Sequence, residues 1–299
     1  AERFPYSTFS LESDASVYPG IARFLRAGRL PPVDRVQIED MVNFFPYDDP
    51  QPKGDLPFSV SIETAECPWA RGHRLVRVAI VARRAPASEP EADGAGQGRA
   101  AQGTTEATLP IANDVRVQLK FAPARVASYR LLGYDGPPAA AKTNQGGAPA
   151  GISVEPGHTV TALYEVIPAK PQPPERSASE IRVSKSHRPP DRDLTAVPRS
   201  EEFLTVRLRY QRPGAEQYWL LECVGTDSGQ SFAAASRDFQ FAAAVAAFGM
   251  ELRRSQFRGD ISLEAVAQIA DSARGEDPGR LRAGFVELVR LVRQLEAGR

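Results

Sequence analysis

The apolar residues of this chain change their spacing twice, and that change limits the kind of core it can build. Near the N-terminus the spacing is helical. Val17, Ile21, Phe24 and Leu25 share one face after Ser13 and Asp14, which can cap a helix. Gly28 and Pro31-Pro32 stop this run. A second helix is expected from Asp34, with Ile38, Met41, Val42 and Phe45 as its stripe and Pro46 as its end. From residue 58 the spacing becomes two. Phe58, Val60 and Ile62 alternate with polar residues, and residues 74–82 read as a more buried strand. Turn residues around Pro68 and Gly72 make the pair a hairpin. Alternation resumes at Val115, Val117, Leu119 and Phe121, through Tyr129 and Leu131, and at Val160, Ala162, Tyr164 and Val166. Leu204, Val206, Leu208 and Tyr210 follow. Trp219, Leu221 and Cys223 come after a Pro213-Gly214 turn. From Ser231 the helical period returns in three runs. Their stripes are Phe241, Val245, Phe248 and Leu252, then Leu263, Val266, Ile269 and Ala270, then Leu281, Phe285, Leu288, Val289, Val292 and Leu295. Asp277-Pro278 marks the start of the last run.

Two helices, about seven strands and three helices in that order predict segregated α+β, not alternating βαβ units. The fold class expected is an antiparallel β-sandwich core with N-terminal helices and a C-terminal three-helix segment packed on it. Polar–apolar alternation predicts sheets that are half exposed. Three stretches break the pattern, at 83–108, 136–151 and 169–200. The first has no large apolar residue until Leu109 and reads as a flexible loop, because it cannot bury enough surface to offset its ordering entropy. The expected organisation is therefore 1–82, helices and first strands; 83–108, a loop; 109–230, the remaining sandwich strands; and 231–299, a helical segment.

Charge narrows the function classes. Lys+Arg and Asp+Glu both total 37, which argues against a nucleic-acid binder with a globally basic surface. No apolar run approaches the roughly 20 residues that cross a bilayer, so a membrane span is not expected. The two cysteines, Cys67 and Cys223, leave two readings open: a disulfide in an oxidising compartment, or two buried thiols, the reading favoured here. His73, His158 and His187 stand apart from each other and from the cysteines, and no zinc-type spacing exists. Asp227-Ser228-Gly229 resembles one aspartic-protease loop, but that chemistry needs a second carboxylate loop and the chain has none. A turn in which Asp227, Ser228 or Ser231 caps the next helix is the expectation. No Gly-x-Ser-x-Gly elbow and no phosphate-binding Gly-rich loop occurs. Asp48, Asp49 and Asp55 read as an acidic turn before a weak calcium site, and the arginine-rich stretch from Arg176 to Arg192 as a solvated loop. No catalytic, cofactor-binding or metal residue is nominated.

Several segments, in order, resemble a known family. They are Ser7-Thr8-Phe9-Ser10-Leu11, Leu30-Pro31-Pro32, Ile38-Glu39-Asp40-Met41-Val42-Asn43-Phe44-Phe45, Cys67-Pro68-Trp69 and His73-Arg74-Leu75. Tyr129-Arg130-Leu131-Leu132-Gly133-Tyr134, the run from Gly157 to Glu165, Thr226-Asp227-Ser228-Gly229 and the run from Phe241 to Met250 complete the set. Together they are similar to the flanking N- and C-terminal domains of bacterial YfbK-like von Willebrand factor type A lipoproteins. The resemblance implies a complete von Willebrand A domain between the halves, whose Asp-x-Ser-x-Ser motif begins a divalent-metal adhesion site. Here the stretch 83–108 occupies that place. The nearest fragment, Ser13-Asp14-Ala15-Ser16, lacks the second serine, so the metal-dependent adhesion function is not carried over.

The expectation is a non-catalytic protein of the periplasm or cell envelope, exported after leader removal, that acts as an interaction or scaffold module for other proteins. The location comes from the resemblance. The chain begins at Ala1 without a basic, apolar leader and without a lipid-bearing cysteine. A carbohydrate-binding or adhesin-like module using Trp69, Tyr134 or Trp219 is one alternative, and a hydrolase with an unrecognised site is another.

Overall fold

The computed structural model describes residues 5–85, 109–133, 151–169, 180–186 and 202–297. Its strands are β1 (Tyr6–Phe9), β2 (Phe58–Glu66), β3 (Arg74–Ala82), β4 (Ala112–Phe121), β5 (Val126–Leu131), β6 (Ile152–Val154), β7 (Thr159–Pro168), β8 (Glu180–Ser186), β9 (Leu204–Gln211) and β10 (Tyr218–Gly225). Its helices are α1 (Val17–Arg26), α2 (Ile38–Asn43), α3 (Arg237–Leu252), α4 (Leu263–Ser272) and α5 (Leu281–Ala297). One antiparallel sheet runs β1-β4-β9-β10-β8, with β6 beside β4, and the other runs β2-β3-β7-β5. The fold is α+β, as the order of periods predicts.

Alternation divides each strand of the four-stranded sheet between two cores. Val60, Val78, Ile80, Val160 and Tyr164 point into the sandwich and meet Leu119, Phe121, Val206, Leu208 and Leu221 of the facing sheet. Phe58 meets Tyr210 edge-on at 5.4 Å, and Phe121 meets Tyr164 at 5.3 Å. The intervening residues Ala65, Leu75 and Leu163 point the other way, into a second core built by all five helices. The four-stranded sheet is thus covered on both faces, and all nine residues of β3 are buried. This corrects the expectation of two half-exposed sheets. N- and C-terminal helices merge into one layer and cover the face that alternation assigned to solvent.

α3 departs from its expected single stripe in the same way. The run 242–247 is buried throughout, because small side chains let neighbours approach from every side. A Cβ on Gly249 would lie 2.8 Å from Ile38 Cγ1, so α2 sits directly on this helix. Phe45, Phe241, Phe248 and Phe285 fill the rest with edge-on contacts. The chain before α2 is also tighter than expected. A short 3₁₀ turn occupies Val33–Arg35, and the helix starts at Ile38 rather than Asp34. Ser236 caps α3, accepting from Phe239 N, where Asp227, Ser228 or Ser231 was expected. α5 starts at Leu281 rather than at Pro278, although Asp277 does accept from Arg282 N and Ala283 N in its first turn.

Three strands escaped the sequence reading: β1, β6 and β8. The last lies inside the stretch 169–200 that reads as loop. Most of that stretch, of 136–151 and of 83–108 lies outside the described residues. The chain on either side of 86–108 is held by one turn. Gly157 N donates to Arg83 O at 2.9 Å, and Ile111 N donates to Val154 O at 2.8 Å. The end of β3 and the start of β4 therefore sit at the same end of the sandwich.

Candidate functional site

Charged side chains gather where the four-stranded sheet meets the helical layer. The richest group lies toward the sheet's β5 edge, where Arg130 reaches Met250 Sδ of α3 at 3.8 Å. The β2–β3 turn closes with Cys67 N donating to His73 O and His73 N donating to Ala70 O. This folds Trp69 back against the sheet, where it is buried. Glu165 of β7 lies opposite both Leu75 and Arg130, so it points to the helix side. Its carboxylate accepts from Trp69 Nε1 at 3.0 Å and from Arg130 Nη2 at 2.5 Å, and His73 Nδ1 is 2.5 Å away. Burial alone would raise the pKa of Glu165, but Trp69, His73 and Arg130 together hold it below the ordinary carboxylate value. The Arg130 guanidinium in turn lies 4.3 Å from the ring centre of Phe257, in the α3–α4 loop. Phe257 is 44% exposed and Ile167, two residues along the same face from Glu165, is 40% exposed. One exposed ring thus lies against a cation fixed by a buried anion, and Ile167 stands exposed opposite Ser128 on the same sheet face.

The one side-chain hydrogen bond of His73 among the described residues is to Glu165. Cys67 is close in the chain fold, but its side chain belongs to the helical core, and burial pushes its thiol up to about 12.

The second group joins layers. Arg77 grips Asp49 with both Nη atoms, at 2.8 and 2.5 Å, and lies 4.7 Å from the Tyr47 ring centre. Arg282 of α5 donates to Asp238 Oδ1 at 2.6 Å and to Pro46 O at 2.8 Å, while Asp48 N donates to Asp238 Oδ2. Residues 46–49 are so bonded to β3, α3 and α5 at once. Asp49 is committed to Arg77, and Asp55 contributes a backbone carbonyl to Arg212, so the acidic triplet does not converge. Asp227 accepts from Arg74 and from Gly229 N, a turn and an ion pair. In the Ser13–Ser16 fragment, Asp14 accepts from Ser16 N and its own N–H goes to Asp40. Among the described residues no group of three or more His, Cys, Asp or Glu side chains converges.

The remaining candidates divide. His158 Nε2 donates to Leu11 O and is structural. His187, Tyr134, Arg176, Arg188 and Arg192 lie outside the described residues. Trp69 is buried and Trp219 is half buried beneath Arg212, so these two do not form the aromatic platform that a glycan-binding surface requires. Cys67 and Cys223 are free and sit in different cores, which overturns the disulfide alternative. The sequence reading missed the convergence of Glu165, Arg130 and His73. Its one trace was a carboxylate on the non-core parity of a buried strand.

Fold and clusters together define a layered α+β protein whose internal charges are used to join a sandwich to a helical layer. Residues 106–295 match the family described as "Uncharacterized protein YfbK, C-terminal", and the chain belongs to that family. Residues 1–77 match a family described as "von Willebrand factor". "Uncharacterized protein YfbK" of Escherichia coli (strain K12) is 30% identical over 184 residues, which cover 61% of this chain and 30% of that relative. The chain therefore corresponds to well under two thirds of the relative's length. No solved structure matches.

Proposed function

We propose that this chain is a non-catalytic docking module of the bacterial cell envelope, and that the rim around Arg130 is where a partner protein seats. One observation carries the reading: Phe257 stands exposed against an arginine held in place by a buried carboxylate, with Ile167 exposed on the same sheet face. Arginine and aromatic side chains that are fixed before binding supply much of the energy at protein interfaces. A loop residue stacked on a locked guanidinium also loses little freedom on binding. The envelope location rests on kinship with the YfbK family. In host cells, a photo-crosslinking residue at Ile167 should give one discrete adduct in the envelope fraction. The same residue at Gln118, on the far sheet, should not. Adducts of equal yield at both positions, or a purely cytosolic chain, would count against the proposal.

A further inference from the structure

The outer face of the larger sheet carries a second built feature, independent of the docking rim. β4 and β9 pair so that Arg116 lies directly opposite Arg209. Like charges in that relation repel and destabilise a sheet. Asp114 relieves the conflict from a bulge in β4, accepting from Arg116 Nε at 3.1 Å and from Arg209 Nη2 at 2.7 Å. To do so it adopts a φ of 45°, a left-handed conformation that costs a non-glycine residue energy. Gly151 leaves the space it needs, since a Cβ there would lie 1.9 Å from Asp114 Oδ1. The Arg209 guanidinium also lies 4.4 Å from the Tyr218 ring centre.

One carboxylate thus serves two guanidinium groups. Arg209 Nε is buried without a hydrogen-bond partner, and the Arg116 side chain is 29% exposed. Arg207, on the same face, is already matched by Glu222 at 2.8 Å. Among Asp114, Arg116 and Arg209 the sum is one positive charge, on two planar forks that are positioned in advance. We propose that Arg116 and Arg209 form a subsite for a phosphate oxyanion, with Tyr218 as its wall and Asp114 as the internal anion that a ligand supplements. Paired guanidinium forks suit tetrahedral oxyanions, which accept from several N–H groups at once.

The test is a titration of the folded chain with inorganic phosphate, followed by backbone NMR shifts. Saturable shifts centred on β4 and β9 are expected. Arg116→Ala and Arg209→Ala should each weaken binding roughly tenfold, the loss of a charge-assisted contact. Arg207→Ala should change it by less than about twofold, because that arginine is already paired. Asp114→Asn tolerates the left-handed backbone and removes the competing charge, so phosphate should bind more tightly. If Arg209→Ala fails to fold, Arg209→Lys keeps the charge, loses the fork and should still bind more weakly. A parallel arm uses phosphatidylglycerol and phosphatidylcholine vesicles. Binding to the first alone, lost in Arg116→Ala, would assign the phosphate to a lipid headgroup; no vesicle binding would assign it to a soluble phosphate. Unsaturable shifts, or equal effects of Arg116, Arg207 and Arg209 substitutions, would overturn the proposal.

Discussion

Replacing Glu165 with glutamine probes the centre of the docking rim without changing its shape. The side chain is almost fully buried, and three donors converge on it. Glutamine keeps one acceptor but turns an amide NH2 toward at least one donor, and it leaves the Arg130 charge without its counterion. Removing one member of a fully buried pair costs roughly 3–5 kcal/mol. Arg130 and His73 retain 17% and 29% exposure, so water repays part of that loss. A destabilisation of about 2–3 kcal/mol is expected, or a fall in Tm of roughly 3–5 °C for a chain of this size. The dependence on pH fixes the cause. The folded pKa of Glu165 is lowered from 4.5, so its contribution is complete above that value. It is lost as pH falls through the lower folded value. Urea unfolding between pH 7 and pH 3 should therefore show wild type losing stability on acidification faster than Glu165→Gln. The double variant Glu165→Gln, Arg130→Met should recover part of the loss, since it removes the stranded charge. A single variant within about 0.5 kcal/mol of wild type, with an unchanged pH profile, would refute the reasoning.

Three further outcomes follow from the same structure. Gly259 has a φ of +65° and faces the Trp69 carbonyl, 2.0 Å from where a Cβ would stand. Gly259→Ala should destabilise by at least about 2 kcal/mol and shift Trp69 fluorescence, because a backbone atom cannot yield. Ser236→Ala removes the α3 cap and a contact to Glu63, and calorimetry should show a cost of about 1–2 kcal/mol. Both thiols should resist an aromatic disulfide reagent in the native state and react together in guanidinium, with no change in mobility on reduction.

How far the sequence reveals this structure depends on how many faces of each element are covered. β2, β4 and β9 carry clear alternation and were legible. β8, with its charged Glu180, Arg182 and Lys185, reads as loop because an edge strand needs few apolar residues and is protected by charge. α3 announced a helix but not its depth, since alanines suit surface and core alike. The charged clusters were hidden for a different reason. His73 and Glu165 are 92 positions apart, and Arg130 and Glu165 are 35 apart. Only the pairing of β3, β7 and β5 brings them together, and spacing in one chain does not encode that register.

The docking claim is tested most directly by how much partner stays with the chain when one exposed residue is trimmed. Phe257 and Leu281 are nearly equally exposed, at 44% and 40%, but only Phe257 belongs to the Arg130 rim. After gentle extraction of the host envelope, Phe257→Ala should lose the partner that wild type retains, while Leu281→Ala keeps it. Both variants should unfold as wild type does, to within about 1 kcal/mol. Retention by both variants, or loss by both, would contradict the account.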